Sequence, residues 1–351
     1  MMKERIVLTG PLAARVVERL ASRFELVRAD SAADAVQLLG AAPSRDVRAV
    51  ASGSSHGRID GRLFDVLPGL QIVAHYGVGY DTVDAVEAAR RGIVVTHTPG
   101  VLDDDVADLA LGLVIASVRQ FPRAERHVRS GAWAAAKFPL GPTLRNRTVG
   151  ILGLGRIGKA IARRCAGIGL RVVYHGRREQ PGVELPFYPS LVEMARAADV
   201  LIVCAPGGAS TRHMVNREVL AALGPDGVLV NVARGTLVDE QALVDALTNR
   251  SIFAAGLDVY ENEPKVSEAL LALENVVLLP HIGSASFQTR EAMSDLLVDN
   301  ICSWYDGAGA LTPVPESAAM LEQGKGSGLR ASSAGDTRPP SAIDRGRSSI
   351  R

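Results

Sequence analysis

The chain has 351 residues, a formal net charge of +1 at pH 7, 47% hydrophobic residues and 22% charged ones. That length accommodates two domains with cores of their own, and a near-zero charge gives no footing for a nucleic acid or an anionic membrane as partner. The three cysteines, Cys165, Cys204 and Cys302, show neither C-x-x-C nor metal-ligand spacing, so they are expected to be reduced core thiols, with no metal site.

Met1–Arg5 runs straight into an apolar strand pattern without the long hydrophobic region of a secretion signal. The most apolar helical stretch, Val106 to Val118, contains Asp108 and is too short to span a bilayer. A cytoplasmic protein with no membrane partner is therefore expected. The first hundred residues alternate strand and helix patterns. Strands are expected at Ile6–Leu8, Glu25–Arg28, Ala49–Ala51, Ile72–Ala74 and Ile93–Thr96, with helices at Leu12–Ser22 and Ala32–Leu39. Such alternation implies βαβ units and a parallel sheet. A long helix follows from Asp103 to Arg119; Asp103, Asp104 and Asp105 in its first turn suit the helix dipole.

A second set of strand patterns covers Val149–Leu152, Arg171–Tyr174, Val200–Val203, Val228–Asn231, Phe253–Leu257 and Val276–Leu279. With helices between them, these fit a doubly wound sheet. Its first strand runs into Gly153-Leu154-Gly155-Arg156-Ile157-Gly158, a G-x-G-x-x-G spacing that opens a helical pattern. Each glycine has a task there: a tight turn, close approach of backbone to a pyrophosphate, and close helix–strand packing. The helix N-terminus adds N–H donors and a positive dipole end.

An NAD site carries an acid about 20 residues into this motif, on the ribose 2′-hydroxyl. Here the second strand ends in His175-Gly176-Arg177-Arg178, with no carboxylate before Glu179. Arginine forks suit a 2′-phosphate, so NADPH or NADP is the expected cofactor, with NAD(H) also open. The alternative is a solvated basic turn. After Pro280 a helix is expected from Ser286 to Tyr305. From about Ser317 the composition turns to Gly, Ser and Pro clusters, which predicts a disordered tail.

Three polar residues stand out downstream. Arg234 follows a strand in Asn231–Glu240, Glu263 lies in Asp258-Val259-Tyr260-Glu261-Asn262-Glu263-Pro264, and His281 follows a strand in Leu279–Ala285. Open α/β sheets place ligands at strand carboxyl ends. Read singly, these could be a salt-bridge arginine, a solvated acid and a core histidine.

Together with His75-Tyr76-Gly77-Val78-Gly79-Tyr80-Asp81 and Thr98-Pro99-Gly100-Val101-Leu102, these motifs make the chain resemble the D-2-hydroxyacid dehydrogenase family, in particular its glyoxylate/hydroxypyruvate reductase branch. The motifs run in family order from about residue 40 to 315.

The resemblance implies an α/β fold in which a Rossmann-type nucleotide domain (101–283) is inserted into a smaller flavodoxin-like substrate domain (1–100 and 284–316). It implies NADPH-dependent reduction of a small 2-oxoacid to the D-2-hydroxyacid, in a cleft between the domains of a homodimer joined through Asp103–Arg129. It assigns Arg234 to the substrate carboxylate and carbonyl, His281 to proton donation, and Glu263 to the other imidazole nitrogen. Val78 and Gly79 would bind substrate through backbone N–H groups. Cofactor contacts would come from Gly153, Leu154, Gly155, Arg156, Ile157 and Gly158; from His175, Gly176, Arg177 and Arg178; from Pro206, Thr211, Val232 and Ala233; and from Asp258, His281 and Gly283.

The chemistry needs these types. Hydride reaching a ketone carbon develops charge on oxygen, which a positioned proton donor relieves. An imidazole titrates near neutrality, and an arginine fork matches a carboxylate. Asp103 stands where many relatives carry Thr. Trp133 and Phe138–Gly141 are expected near the pocket or the dimer contact. Open alternatives are a larger 2-oxoacid, such as 2-ketogluconate or hydroxyphenylpyruvate, and a dinucleotide-sensing corepressor on the same scaffold.

Overall fold

The computed structural model describes residues 3–40, 44–53 and 57–323. They divide into two compact units, one of Met1–Tyr76, Thr82–His97 and the described part of Leu296–Arg351, the other of Gly77–Asp81 and Thr98–Asp295. The division moves the expected 100/101 boundary to 97/98, and it departs from the expected domains in two further ways. The Gly77–Asp81 loop groups with the nucleotide unit, and the return crossing falls inside the Phe287–Tyr305 helix.

The smaller unit holds a parallel sheet of β1 (Arg5–Thr9), β2 (Glu25–Ala29), β3 (Val47–Gly53), β4 (Ile72–Tyr76) and β5 (Val94–Thr96). Its order, β2-β1-β3-β4-β5, is the flavodoxin-like one. The central strands are mostly apolar and largely buried on both faces, as a parallel sheet covered by helices requires.

The tail expectation is corrected here. Pro315–Gln323 is a helix, not the start of a structureless segment. Ser317 and Leu321 are buried, the Ser317 hydroxyl accepts from the Val95 amide at 2.8 Å, and Leu321 packs with Val94 and Ala310. Composition averaged over the tail diluted one amphipathic helix with the Gly/Ser-rich stretch that follows it. The remainder of that expectation, 324–351, lies outside the described residues. Leu321→Ala should therefore lower stability by about 2–5 kcal/mol, the range for emptying a buried leucine site, as read by urea unfolding.

The larger unit holds seven parallel strands: β6 (Thr148–Leu152), β7 (Arg171–His175), β8 (Phe187–Tyr188), β9 (Val200–Val203), β10 (Val228–Asn231), β11 (Ala254–Leu257) and β12 (Val276–Leu278). The order β12-β11-β10-β9-β6-β7-β8 is doubly wound, with the chain reversing direction between β6 and β9. β8 has only two residues, too few for any alternation to show in sequence. Side chains alternate across this sheet. Leu201 and Val203 of β9 enter one core, Val200 and Ile202 the other, so both faces are covered.

The Asp103–Val118 helix lies on the second of these faces through Ala107, Ala110, Leu113, Val114 and Val118, a helical spacing of small and branched residues. Its acidic first turn finds three separate partners. Asp103 pairs with Arg156 at 2.9 Å, Asp104 with Arg164 at 3.0 Å, and Asp105 accepts from the Ser286 hydroxyl. These ties anchor the Arg156–Gly167 helix and the start of the Phe287–Tyr305 helix.

Candidate active site

The glycine turn follows β6, at the point where the sheet reverses, the usual ligand position in such folds. Gly153 has φ 97°, and a Cβ there would lie 2.7 Å from the Ala205 backbone, so only glycine fits. A Cβ on Gly158 would strike the Gly153 carbonyl oxygen at 2.2 Å, whereas one on Gly155 would meet nothing within 4 Å. Gly153 and Gly158 thus serve turn and packing, and Gly155 faces open space. Gly155 is also the cap of the Arg156–Gly167 helix, which no side chain caps. An open backbone face at such a helix N-terminus fits a pyrophosphate. Leu154 is buried, with its side chain in the core.

Gln180 fastens the loop after β7 to this turn. Its amide donates to the Tyr174 hydroxyl at 2.9 Å and its Nε2 to the Leu154 carbonyl at 2.7 Å. Arg177 and Arg178 on that loop are exposed, and neither forms an ion pair among the described residues. The His175 ring faces the Tyr188 carbonyl through Nδ1 at 2.8 Å. Across the sheet reversal, Thr211 donates to the Pro206 carbonyl at 2.8 Å. Past β10, the Asn231 side chain accepts from the Ala233 amide at 3.0 Å and donates to the Arg234 carbonyl at 2.9 Å, shaping the turn that carries the arginine.

Arg234 is held on several sides. Its Nε donates to Asp81 Oδ1 at 3.0 Å and its Nη1 to the Ala233 carbonyl at 2.9 Å. Two glycines make room for it: a Cβ on Gly79 would lie 2.0 Å from Nη2, and one on Gly207 2.9 Å from Cγ. The Gly77–Asp81 loop, with Val78 and Gly79, is thereby set beside the guanidinium, with the Gly77 carbonyl accepting from the Thr98 amide at 2.9 Å.

His281 Nδ1 lies 2.7 Å from Glu263 Oε2, and Glu263 Oε1 accepts from the Tyr260 amide at 3.1 Å. With Nδ1 committed, Nε2 is the nitrogen turned away from the carboxylate. The turn bearing His281 is tied down by Asp258, which is 1% exposed. Its two oxygens accept from the Ile282 amide at 2.7 Å and the Gly283 amide at 2.8 Å, and its carbonyl accepts from the His281 amide at 2.9 Å. Each oxygen of Asp258 thus takes one backbone amide, which shapes the histidine turn and leaves each oxygen a further lone pair.

Charge follows this geometry. Burial pushes the Asp258 carboxyl up, against the two amides and His281. Burial opposes ionisation of Glu263 as well, but the hydrogen bond from His281, its charge and the Tyr260 amide outweigh it, so Glu263 sits below the usual range. A lowered folded value means that ionised Glu263 contributes its full stability above the ordinary carboxylate range and loses it as pH falls through the lowered value. Glu263→Gln should therefore melt below wild type at neutral pH, and the gap in Tm should close below about pH 4. A gap that stays constant with pH would contradict this.

Comparison with known proteins identifies the family. A family model, D-isomer specific 2-hydroxyacid dehydrogenase, NAD binding domain, matches residues 111–283. The glyoxylate/hydroxypyruvate reductase A HPR2 of Arabidopsis thaliana is 43% identical over 309 residues, covering 88% of this chain and 98% of that protein. The chain belongs to the D-isomer specific 2-hydroxyacid dehydrogenase family.

Hydroxyphenylpyruvate reductase of Plectranthus scutellarioides matches at the same 43% over 309 residues, with the same coverage of 88% and 98%. Among solved structures, the NADPH-dependent glyoxylate/hydroxypyruvate reductase of Sinorhizobium meliloti, in complex with NADP and malonate, is 53% identical with a TM-score of 0.84, over 90% of this chain and 98% of that one. As a member of the family, the chain is an NAD(P)-dependent 2-hydroxyacid dehydrogenase. No helix among the described residues is long and apolar enough to cross a membrane.

Sequence reasoning singled out Arg234, Glu263 and His281 but missed residues that hold them. Asp81 ends a motif noticed for its glycines, and only the fold brings it to Arg234, 153 positions away. The role of Gly207 is likewise visible only once Arg234 lies beside it.

Proposed function

We propose that this chain reduces a small 2-oxoacid of the glyoxylate/hydroxypyruvate class to the D-2-hydroxyacid with NADPH, using Arg234, His281 and Glu263. The observation that carries the reading is the His281–Glu263 contact at 2.7 Å in the same unit as a buttressed Arg234 and an open glycine turn. The NADPH-dependent reductase of S. meliloti, at 53% identity, supports the choice of cofactor and substrate class. Bound NADPH supplies the hydride.

Arg234 receives the substrate carboxylate and polarises the adjacent carbonyl with its fixed fork. The Val78–Gly79 backbone steadies the same carboxylate. His281 delivers a proton from Nε2 to the carbonyl oxygen as negative charge grows there, and Glu263 keeps the ring oriented and stabilises its charged form. Asp258 holds that ring in place through the 281–283 turn.

Arg177 and Arg178 receive the 2′-phosphate. Replacing both with Ala should weaken NADPH by about 2–4 kcal/mol, since hydrogen bonds between charged groups contribute about 1.5–3 each and do not simply add. NADH affinity should change little. Wild type binding NADH and NADPH equally would overturn this assignment.

A second reading, a larger 2-oxoacid, is favoured by the equal match to the Plectranthus hydroxyphenylpyruvate reductase. Steady-state kcat/KM for glyoxylate, hydroxypyruvate, hydroxyphenylpyruvate and 2-ketogluconate separates the two, and no turnover of any of them would sink both. Exposed Phe121 and Val128, with Trp133 and Leu140 just beyond them, support a homodimer through the Asp103–Arg129 region, which sedimentation tests. Free cysteines suit a reducing compartment, the cytoplasm.

A further inference from the structure

Glu261 does not belong to the catalytic set, yet it joins several segments of it. One of its oxygens, Oε1, accepts from Arg212 Nη2 at 2.6 Å and faces His213 Nε2 at 2.8 Å. Its backbone amide donates to Glu240 Oε2 at 3.1 Å, at the start of the Glu240–Thr248 helix. The carboxylate is only 17% exposed, while Arg212 reaches it from the surface at 54% exposure.

Glu261 follows Tyr260, whose amide donates to Glu263 and whose hydroxyl donates to the Leu279 carbonyl at 2.8 Å, two residues before His281. On the other side, Arg212 and His213 directly follow Thr211, the end of the Pro206–Thr211 loop. His213 has φ 52°, a left-handed conformation that non-glycine residues seldom adopt, and its amide donates to the Thr236 carbonyl at 2.9 Å beside the Arg234 turn. Gly235 in that turn lies so close to Tyr260 that a Cβ would be 1.8 Å from the Tyr260 carbonyl carbon.

We infer that Glu261 is a positioning residue that clamps the Pro206–His213 loop to the segment bearing the catalytic acid, and so sets affinity for the dinucleotide. The inference rests on the proposed NADPH-dependent reading. A guanidinium and an imidazole converging on one mostly buried oxygen make the loop's position depend on a single carboxylate. Without it, Arg212 and His213 lose their shared acceptor, and the loop samples positions that do not meet the cofactor. Binding energy is then spent on ordering the loop.

The test titrates NADPH into the protein without substrate, following nicotinamide fluorescence. Glu261→Ala should raise the Kd for NADPH about tenfold, the change expected from about 1.4 kcal/mol. Glu261→Gln, which keeps an acceptor oxygen without the charge, should raise it less. Arg212→Ala/His213→Ala should match Glu261→Ala, and the triple variant should add nothing further, the mark of groups that act together. A scaffold defect would instead lower Tm and multiply across the variants. If wild type binds NADPH and Glu261→Ala binds it equally well, or if the triple variant shows the product of the separate losses, the inference is overturned alone. If wild type binds no NADPH, the functional reading falls with it.

Discussion

His281→Asn should lower kcat by about 10²–10⁴, the range for removing a general acid, while NADPH affinity stays close to wild type. The asparagine retains a polar side chain on the same turn, which Asp258 ties through the Ile282 and Gly283 amides. What is lost is a group able to hand over a proton. The left-handed conformation of residue 281, φ 55°, is one that asparagine tolerates well, so the variant should fold. Single-turnover measurement with hydroxypyruvate isolates the chemical step. Near-wild-type turnover would mean that another donor, or water, protonates the oxygen.

Arg234→Lys should reduce kcat/KM for 2-oxoacids by about 10- to 1000-fold, or about 1.4–4 kcal/mol of transition-state stabilisation. The positive charge survives, but the fork does not. Arg234 uses Nε for Asp81 and Nη1 for the Ala233 carbonyl, which fixes the plane in which its remaining donors point. A lysine ammonium cannot be held by Asp81 and still offer a fork to a carboxylate. The loss should be larger in kcat/KM than in cofactor affinity, because the contact tightens as the carbonyl oxygen gains charge. Unchanged kcat/KM in Arg234→Lys would remove Arg234 from the mechanism.

The residues that face a ligand are more legible in a sequence than the residues behind them. Gly153 and Gly158 carry a steric demand that no other residue type meets, and together with Gly155 that demand shows as spacing. The alternating cores of β6, β7, β9 and β10 show as unbroken apolar runs. Asp81 and Glu261, by contrast, act through partners dozens to more than a hundred positions away. A carboxylate that pairs at long range leaves the same local pattern as one that is merely solvated. The Pro315–Gln323 helix was hidden for a different reason. It is short and takes its stability from Val94 and Ala310, which nothing local announces.

The three aspartates at the start of the Asp103–Val118 helix point to three different clients, Arg156, Arg164 and Ser286. Successive residues on a helix are rotated by about 100° from one another. Deleting or inserting one residue just ahead of Asp103 would turn every one of these carboxylates toward its neighbour's client. The glycine-turn helix and the helix that follows the histidine turn would be misanchored together. This stretch should accept changes of residue type more readily than any change of length, and the peptide leading into it, Thr98–Leu102, is in effect a ruler for the site.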